Sequence, residues 1–129
     1  VTGVQTCALP ISIDELLGIA EKADKQQDFQ KSFQCYKEAA ELGSNYAMQE
    51  VGSMYALGKG VEQNYSESFK WLKNAAETGS PSAMAMVARM YELGLGTDPN
   101  IHEAMKWYVE AANSGNVQAQ RRLNELFEN

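Results

Sequence analysis

The chain repeats itself every 36 residues, and this period constrains its fold more than any other feature. The segment WLKNAAETG, from Trp71 to Gly79, aligns without a gap with WYVEAANSG, from Trp107 to Gly115. A third copy, CYKEAAELG, begins at Cys35 with the same spacing of 36 residues. A fixed period of this length is typical of stacked arrays, in which each unit buries its apolar face against its neighbours.

Hydrophobic periodicity predicts a helix in each copy. Between residues 68 and 77, apolar side chains fall on one arc at about 100° per residue, and lysine, asparagine and glutamate fall on the opposite arc. This is the second helix of each unit (helix B). A glycine follows each copy, at Gly43, Gly79 and Gly115, where a helix commonly ends in a left-handed residue. Gly-x-Gly turns at 58–60 and 94–96 end an earlier helix of the same unit. Capping residues stand where further helices would begin: Asn64, Ser80, the segment Asp98–Asn100, and Asn116.

The period also divides the chain. We expect a repeat domain over residues 12–129, with repeats at about 12–44, 45–80 and 81–116 and a capping helix at 117–128. The first repeat lacks the Gly-x-Gly turn, and Gly18 matches Gly52 only at a spacing of 34 residues. Its turn is therefore expected to be two residues shorter than the others. Trp71 and Trp107 are expected to fill the gaps between repeats.

The first eleven residues are expected to lie outside the repeat domain. VTGVQTCALPI, residues 1–11, is the in-frame translation of a common sequencing-adaptor oligonucleotide, codon for codon. Segments of such origin are excluded from reasoning about the fold, as tags are. We therefore expect a disordered tail and interpret the chain as a fragment from environmental sequencing whose true start is missing. The alternative is a natural flexible terminus.

Composition and charge exclude several classes of function. The net charge of −6 argues against nucleic-acid binding, which needs clustered lysine and arginine on one face. No stretch approaches the roughly 18 consecutive apolar residues that indicate a membrane span. Cys7 and Cys35 are the only cysteines, too few and too differently placed to indicate a disulfide framework. Cys35 is expected to be a small buried apolar residue.

The repeated phrases resemble a known family. The pattern A-x-x-x-[VL]-[GA]-x-M-Y-x-L-G-x-G, at 47–60 and 83–96, is followed by W-[LY]-x-x-A-A-x-x-G, at 71–79 and 107–115. This combination resembles the SEL-one-like repeat (SLR), a relative of the tetratricopeptide (TPR) repeat. The resemblance implies an all-α fold, a right-handed α/α superhelix (solenoid) of stacked antiparallel helix pairs, with about three repeats and a C-terminal capping helix. It also implies a non-enzymatic adaptor or scaffold in protein complexes, often bacterial.

Positions that vary between copies form the candidate binding surface. In helical-repeat arrays the first helix of each pair (helix A) lines the inner, concave face, and here its outward positions change while the core positions repeat. A protein or peptide segment is the expected partner of a monomer, with no catalytic residue, cofactor, metal or nucleic acid. The alternative is that these positions are unconstrained surface. The predicted protein-binding residues are Glu15, Ile19, Tyr46, Gln49, Ser53, Ser82, Arg89, Glu92, Arg121 and Glu125.

Two other functions stay open. Some secreted members of a cysteine-rich branch of the family are linked to β-lactam binding or hydrolysis, although this chain lacks their paired cysteines. The chain could also be an inert spacer in a longer repeat protein. His102 is the only histidine, and without a second histidine or a reactive cysteine it is expected to be solvated or to cap a helix. The compartment is left open between the cytoplasm and the periplasm or exterior.

Overall fold

The structure, a computed structural model, describes residues 11–128. The prediction of an all-α fold is confirmed, because these residues contain helices and no strand. Residues 1–10 of the predicted tail lie outside the described part of the chain. The helices are α1 (Ile13–Lys25), α2 (Phe29–Glu41), α3 (Asn45–Leu57), α4 (Tyr65–Glu77), α5 (Pro81–Leu93), α6 (Ile101–Asn113) and α7 (Val117–Glu128).

The helices group into two compact units. The first unit ends at Gln63 and contains α1 to α3, and the second begins at Asn64 and contains α4 to α7. In the first unit α1 packs on α2, and α2 packs on α3. In the second unit α4 packs on α5, α5 on α6, and α6 on α7. Connections as short as residues 26–28 and 42–44 make the helices that they join antiparallel.

Each helix begins at a side chain that satisfies one of its unpaired backbone N–H groups. The oxygen of the capping residue accepts a hydrogen bond from the N–H group three residues further on. Asn64 and Asn100 do so at 3.1 Å, and Asn116 at 2.8 Å. Pro81 follows the capping residue Ser80 at the first helical position, where its missing N–H group costs nothing. The helix starts predicted from the sequence are confirmed.

The phrase Ala-Ala-x-x-Gly repeats because it ends one helix and starts the next. After α4, the N–H group of Gly79 donates to the carbonyl of Ala76 at 3.0 Å, and that of Ser80 to the carbonyl of Ala75 at 3.2 Å. This pair of bonds is a Schellman motif, which requires a left-handed residue where Gly79 has φ +106°. The two alanines are buried, so the same residues accept these bonds and pack in the core.

The most buried large side chain of α4 and of α6 is the residue that follows the tryptophan. Leu72 and Tyr108, which follow the two tryptophans, are 1% and 5% exposed, whereas Trp71 and Trp107 are only partly buried. Trp107 lines a surface hollow of about 470 Å³. Ala76 and Gly79 of the preceding repeat line the same hollow, so Trp107 stands at the gap between repeats, as expected, while the buried arc of the helix centres on the next residue.

An aromatic pair joins each of two B helices to the A helix that follows it. The rings of Phe33 and Tyr55 meet edge to face with centroids 5.2 Å apart, and Phe69 and Tyr91 repeat this geometry at 5.2 Å. Such pairs contribute about 0.5–1.5 kcal/mol beyond the burial of their area. The spacing of 36 residues thus reproduces a contact as well as a helix.

The first repeat differs from the sequence prediction in its turn. Three residues, 26–28, separate α1 from α2, whereas seven, 58–64, separate α3 from α4. The turn is therefore four residues shorter, not two. Gly18 is exposed and Gly52 is buried, so the two glycines do not occupy equivalent places. A single glycine shared by two segments does not show whether the two positions are equally buried, so it does not establish their alignment.

Cys35 is fully buried, as expected for a small apolar side chain. It is also disulfide-bonded, which the sequence did not predict. The other cysteine of the chain, Cys7, lies outside the described residues.

Candidate functional site

Five of the ten predicted binding residues line one cavity in the second unit. Its volume is about 420 Å³. The five residues are Ser82, Arg89 and Glu92 of α5 together with Arg121 and Glu125 of α7. Tyr108 of α6 also lines the cavity, so three consecutive helices form its walls.

The other five predicted residues lie in the first unit. Glu15 closes the capping box at the start of α1, and the side-chain amide of Gln49 donates to the asparagine at the start of α3 at 3.2 Å. The ring of Tyr46 packs edge-on against another tyrosine, with centroids 6.1 Å apart. Ile19 and Ser53 are half-buried. Local contacts thus engage three of these five side chains.

The lining of the cavity in the second unit is mixed in character. Ala85, Met86 and Ala119 provide apolar surface, and Asn116 and Gln118 provide side-chain amides. Ligand sites combine apolar surface in this way with a few polar groups that fix orientation, in volumes of about 300–1,000 Å³. The cavity therefore has the size and composition to accept part of a peptide.

Glu92 is the centre of a hydrogen-bonded group at this cavity. The hydroxyl group of Tyr108 donates to its Oε1 at 2.9 Å, and Nε of Arg122 donates to its Oε1 and Oε2 at 3.2 and 3.1 Å. Nη2 of Arg122 also donates to Oε2 of Glu92, and its Nη1 donates to Glu125 at 2.8 Å. The group links α5, α6 and α7 and so fixes the walls of the cavity.

These contacts shift the pKa values of their members. Hydrogen bonds from Arg122 lower the pKa of the Glu92 carboxyl, the hydroxyl of Tyr108 lowers it further, and partial burial opposes both. Burial raises the pKa of Tyr108, and its bond to Glu92 adds to this. Hydrogen bonds to Glu92 and Glu125 raise the pKa of Arg122. At neutral pH Glu92 is therefore an ionised carboxylate, Arg122 an ionised guanidinium and Tyr108 a neutral phenol.

The first unit holds a related pair. The hydroxyl of Tyr36 donates to Oδ2 of Asp24 at 3.3 Å, and burial raises the pKa of Tyr36. Asp24 and Glu92 are each the penultimate residue of their helix. No arginine joins the pair in the first unit, and the nearby Glu50 makes that region more acidic. The arginine-lined cavity is thus a feature of the second unit.

The sequence prediction missed two residues of the hydrogen-bonded group around Glu92, namely Tyr108 and Arg122. Periodicity assigns Tyr108 only to the core and Arg122 only to the polar surface of a cap. Tyr36, Leu72 and Tyr108 stand at one repeat position, 36 residues apart. A tyrosine at a buried position needs a partner for its hydroxyl group, and this requirement is the sequence signal that could have found the pair with Glu92.

The remaining candidates for chemistry are metal-binding clusters and the single histidine. Among residues 11–128, no group of three or more histidine, cysteine, aspartate or glutamate side chains could hold a metal ion. His102 is exposed, at the second residue of α6. None of the helices in this range combines the length and the apolar character needed to cross a bilayer.

The repeat pattern of this chain matches a known protein family. The family model of the Sel1 repeat matches residues 18–44, 45–80 and 81–116. The chain belongs to the Sel1 repeat family. Sel1 repeat proteins are in general non-enzymatic scaffolds for protein–protein interaction. Among curated proteins, none matches this chain.

Solved structures support the assignment to this family of helical-repeat solenoids. A Sel1 repeat protein from Oxalobacter formigenes is 31% identical, with a TM-score of 0.81, over 88% of each chain. The protective antigen c5321 of uropathogenic Escherichia coli, which displays an SLR fold, is 30% identical with a TM-score of 0.87. That match covers 89% of this Sel1 repeat protein but only 26% of the antigen. Cysteine-rich protein B of Helicobacter pylori shares the fold, at 20% identity and a TM-score of 0.68 over 83% of this chain and 91% of that one.

Proposed function

We propose that this Sel1 repeat protein is a non-enzymatic adaptor that binds a peptide or protein segment on the helix-A face, at the cavity between α5, α6 and α7. The observation that carries the proposal is the convergence of Arg89, Glu92 and Arg121 on one cavity. Their positions change between repeats, whereas a neighbouring core position keeps alanine at Ala47, Ala83 and Ala119. A fixed scaffold with a variable charged cavity favours recognition of a partner over a purely structural role.

The walls of the cavity favour binding without large rearrangement. Tyr108 and Arg122 hold Glu92 by several hydrogen bonds, so the helices α5, α6 and α7 that form the walls are tied to one another. A binding site held in place by its own contacts loses less conformational entropy when a ligand binds. We therefore expect the partner segment to bind α5 and α7 in one defined position.

Site-specific photo-crosslinking tests the proposal. A photoreactive amino acid replaces Ser82, which is exposed at the cavity, and in a matched control it replaces Val109, which is exposed elsewhere on α6. We expect a discrete crosslinked partner from position 82 in lysate of a bacterium that carries a close relative, and none from position 109. Equal labelling from both positions, or no adduct from position 82, would exclude the cavity as the binding site.

The hydrolase alternative is tested with a chromogenic β-lactam. We expect the purified protein to leave nitrocefin intact, because within residues 11–128 no group could hold a metal ion and His102 forms no hydrogen bond with a serine, threonine or cysteine. Turnover that persists through purification and is lost on substitution of Arg89 and Arg121 would instead support a catalytic cavity.

A further inference from the structure

All three arginines of the chain line the same cavity, although the protein as a whole is acidic. Arg89, Arg121 and Arg122 are the only arginines, and the net charge of the chain is −6. The cavity holds two glutamates, Glu92 and Glu125, against these three guanidinium groups. The guanidinium groups of the molecule are thus all gathered where the proposed binding site lies.

The three arginines are not equivalent. Arg122 is engaged by both glutamates of the cavity. The side chains of Arg89 and Arg121 are exposed, and no hydrogen bond or ion pair within residues 11–128 engages their guanidinium groups. Two guanidinium groups, one on α5 and one on α7, therefore keep their donors available for a ligand. A guanidinium group offers five N–H donors in a planar fork that matches a carboxylate.

We propose, building on the proposed adaptor function, that the segment bound at this cavity is acidic, with one side-chain carboxylate on Arg89 and a second on Arg121. Each of the two guanidinium groups offers its own fork of donors, so the proposal assigns one carboxylate of the segment to each. Ala85, Met86 and Ala119 would contact an apolar residue of that segment. Glu125 disfavours a doubly charged phosphate at the same place by repulsion between like charges.

Arg122 acts in this arrangement as a positioning residue. Its charge is balanced by Glu92 and Glu125, and its hydrogen bonds connect the wall formed by α5 to the wall formed by α7. The cavity is thus held open with two ligand-facing cations and one structural cation. The acidic surface elsewhere on the chain repels an acidic segment, which directs it to this site.

The test uses short fluorescent peptides, capped at both ends, with two glutamates placed at varied spacing around one leucine. Each peptide has a twin in which glutamine replaces glutamate, a glutamine twin with a free C-terminal carboxylate, and a phosphoserine twin. Binding to the full chain is measured by fluorescence anisotropy. The cavity variant is R89Q with R121Q. The matched control, K70Q with K106Q, removes two lysines that are 72% and 75% exposed outside the cavity.

We expect at least one glutamate peptide to bind about tenfold or more tightly than its glutamine twin, because charge-assisted hydrogen bonds are stronger than neutral ones. The cavity variant should lose about the same factor, and the control variant should stay within about twofold. Added salt should weaken binding of the glutamate peptide. Circular dichroism of both variants verifies that the helices are intact.

Four results would overturn the inference: equal binding of the glutamine twins, no loss of binding in the cavity variant, binding only of the free-carboxylate or phosphoserine twins, or no binding of any glutamate peptide. The adaptor function is judged separately by crosslinking from position 82. A neutral partner captured there would leave the adaptor function standing while the acidic segment is rejected. Absence of any adduct at position 82 would reject the cavity as the binding site of the adaptor.

Discussion

The hydroxyl group of Tyr108 donates a hydrogen bond to Oε1 of Glu92 at 2.9 Å, across the interface between α6 and α5. The same kind of bond joins Tyr36 of α2 to Asp24 of α1 at 3.3 Å. In the intervening repeat, Leu72 takes the place of the tyrosine. The two buried tyrosines at this repeat position thus each donate to a carboxylate near the end of the helix that precedes their own.

Replacing Tyr108 with phenylalanine tests the energy of this contact. We expect Y108F to lower the free energy of unfolding by about 1 kcal/mol, the usual net value of one hydrogen bond, because Glu92 keeps its bonds to Arg122. The measurement is a urea titration at neutral pH. Y91F is the matched control, since Tyr91 packs on Phe69 through its ring and its hydroxyl has no hydrogen bond within the described residues. A loss as large in Y91F would mean that the hydroxyl of Tyr108 contributes nothing specific.

Neutralising Glu92 should make stability depend less on pH. The pKa of Glu92 is lowered from its usual 4.5, chiefly by Arg122, so its ionised form stabilises the fold above that pH and the contribution is lost as the pH falls through the folded pKa. We expect E92Q to cost about 1–2 kcal/mol at neutral pH, as charged hydrogen bonds do. The cost should shrink well below pH 4.5. Urea titrations across this range measure it, and a cost independent of pH would contradict the assignment.

Local features of the fold could be predicted from the sequence because their causes lie within a few residues. The cap at Ser80 with Pro81, and the left-handed glycine at Gly79, each depend on neighbours along one turn. Depth in the core could not be predicted. Trp71 and Leu72 share one apolar arc, and only packing against other helices decides that Leu72 is the buried one.

The candidate site was only partly predictable for the same reason. The positions of Arg89, Glu92 and Arg121 on the outward arc of their helices follow from periodicity. The bonds between Glu92 and Arg122 join residues 30 positions apart, and Tyr108 enters from a B helix, at a position that periodicity assigns to the core. Periodicity indicates which face a residue occupies, but not which helix supplies its partner.

Substituting alanine at three glycines distinguishes the energetic cost of steric overlap from the cost of a left-handed backbone conformation. Gly18 lies in α1 with open space where a Cβ atom would lie, so G18A should stabilise the protein by about 0.5–1 kcal/mol through helix propensity. Gly79 has φ +106° and open space, so G79A should cost about 1–2 kcal/mol from strain alone. At Gly96, with φ +72°, a Cβ would lie 2.1 Å from the carbonyl oxygen of Tyr65.

For G96A we therefore expect a cost of about 3 kcal/mol, because overlap adds to the strain of the left-handed conformation. Thermal and urea unfolding of the three variants give the order G18A, G79A, G96A from most to least stable. If G96A lowered the free energy of unfolding no more than G79A does, Gly96 would not approach α4 as closely as described.

Gln27 is the one residue other than glycine with a positive φ, +61°, among residues 11–128. It lies in the short turn of the first repeat, where its N–H group donates to the carbonyl of Asp24 at 2.9 Å. Glycine adopts this conformation without the steric cost of a Cβ atom. We expect Q27G to raise the free energy of unfolding by about 0.5 kcal/mol, after the greater freedom of the unfolded chain is subtracted. A decrease in the urea midpoint would show that the glutamine side chain stabilises the turn.

Glu50 should respond to pH in the opposite sense to Glu92. Burial raises its pKa above the usual 4.5, the charge of Asp24 adds to the rise, Lys59 opposes it, and Glu21 contributes least. The unfolded chain therefore ionises first as the pH rises, so ionised Glu50 works against folding at neutral pH and has no effect well below 4.5. We expect E50Q to raise the urea midpoint at neutral pH and to match the parent protein in acid. E92Q is the matched control, because we expect it to lower the urea midpoint under the same neutral conditions. Midpoints that shift in the same direction in both variants would contradict the distinct surroundings of the two carboxyl groups.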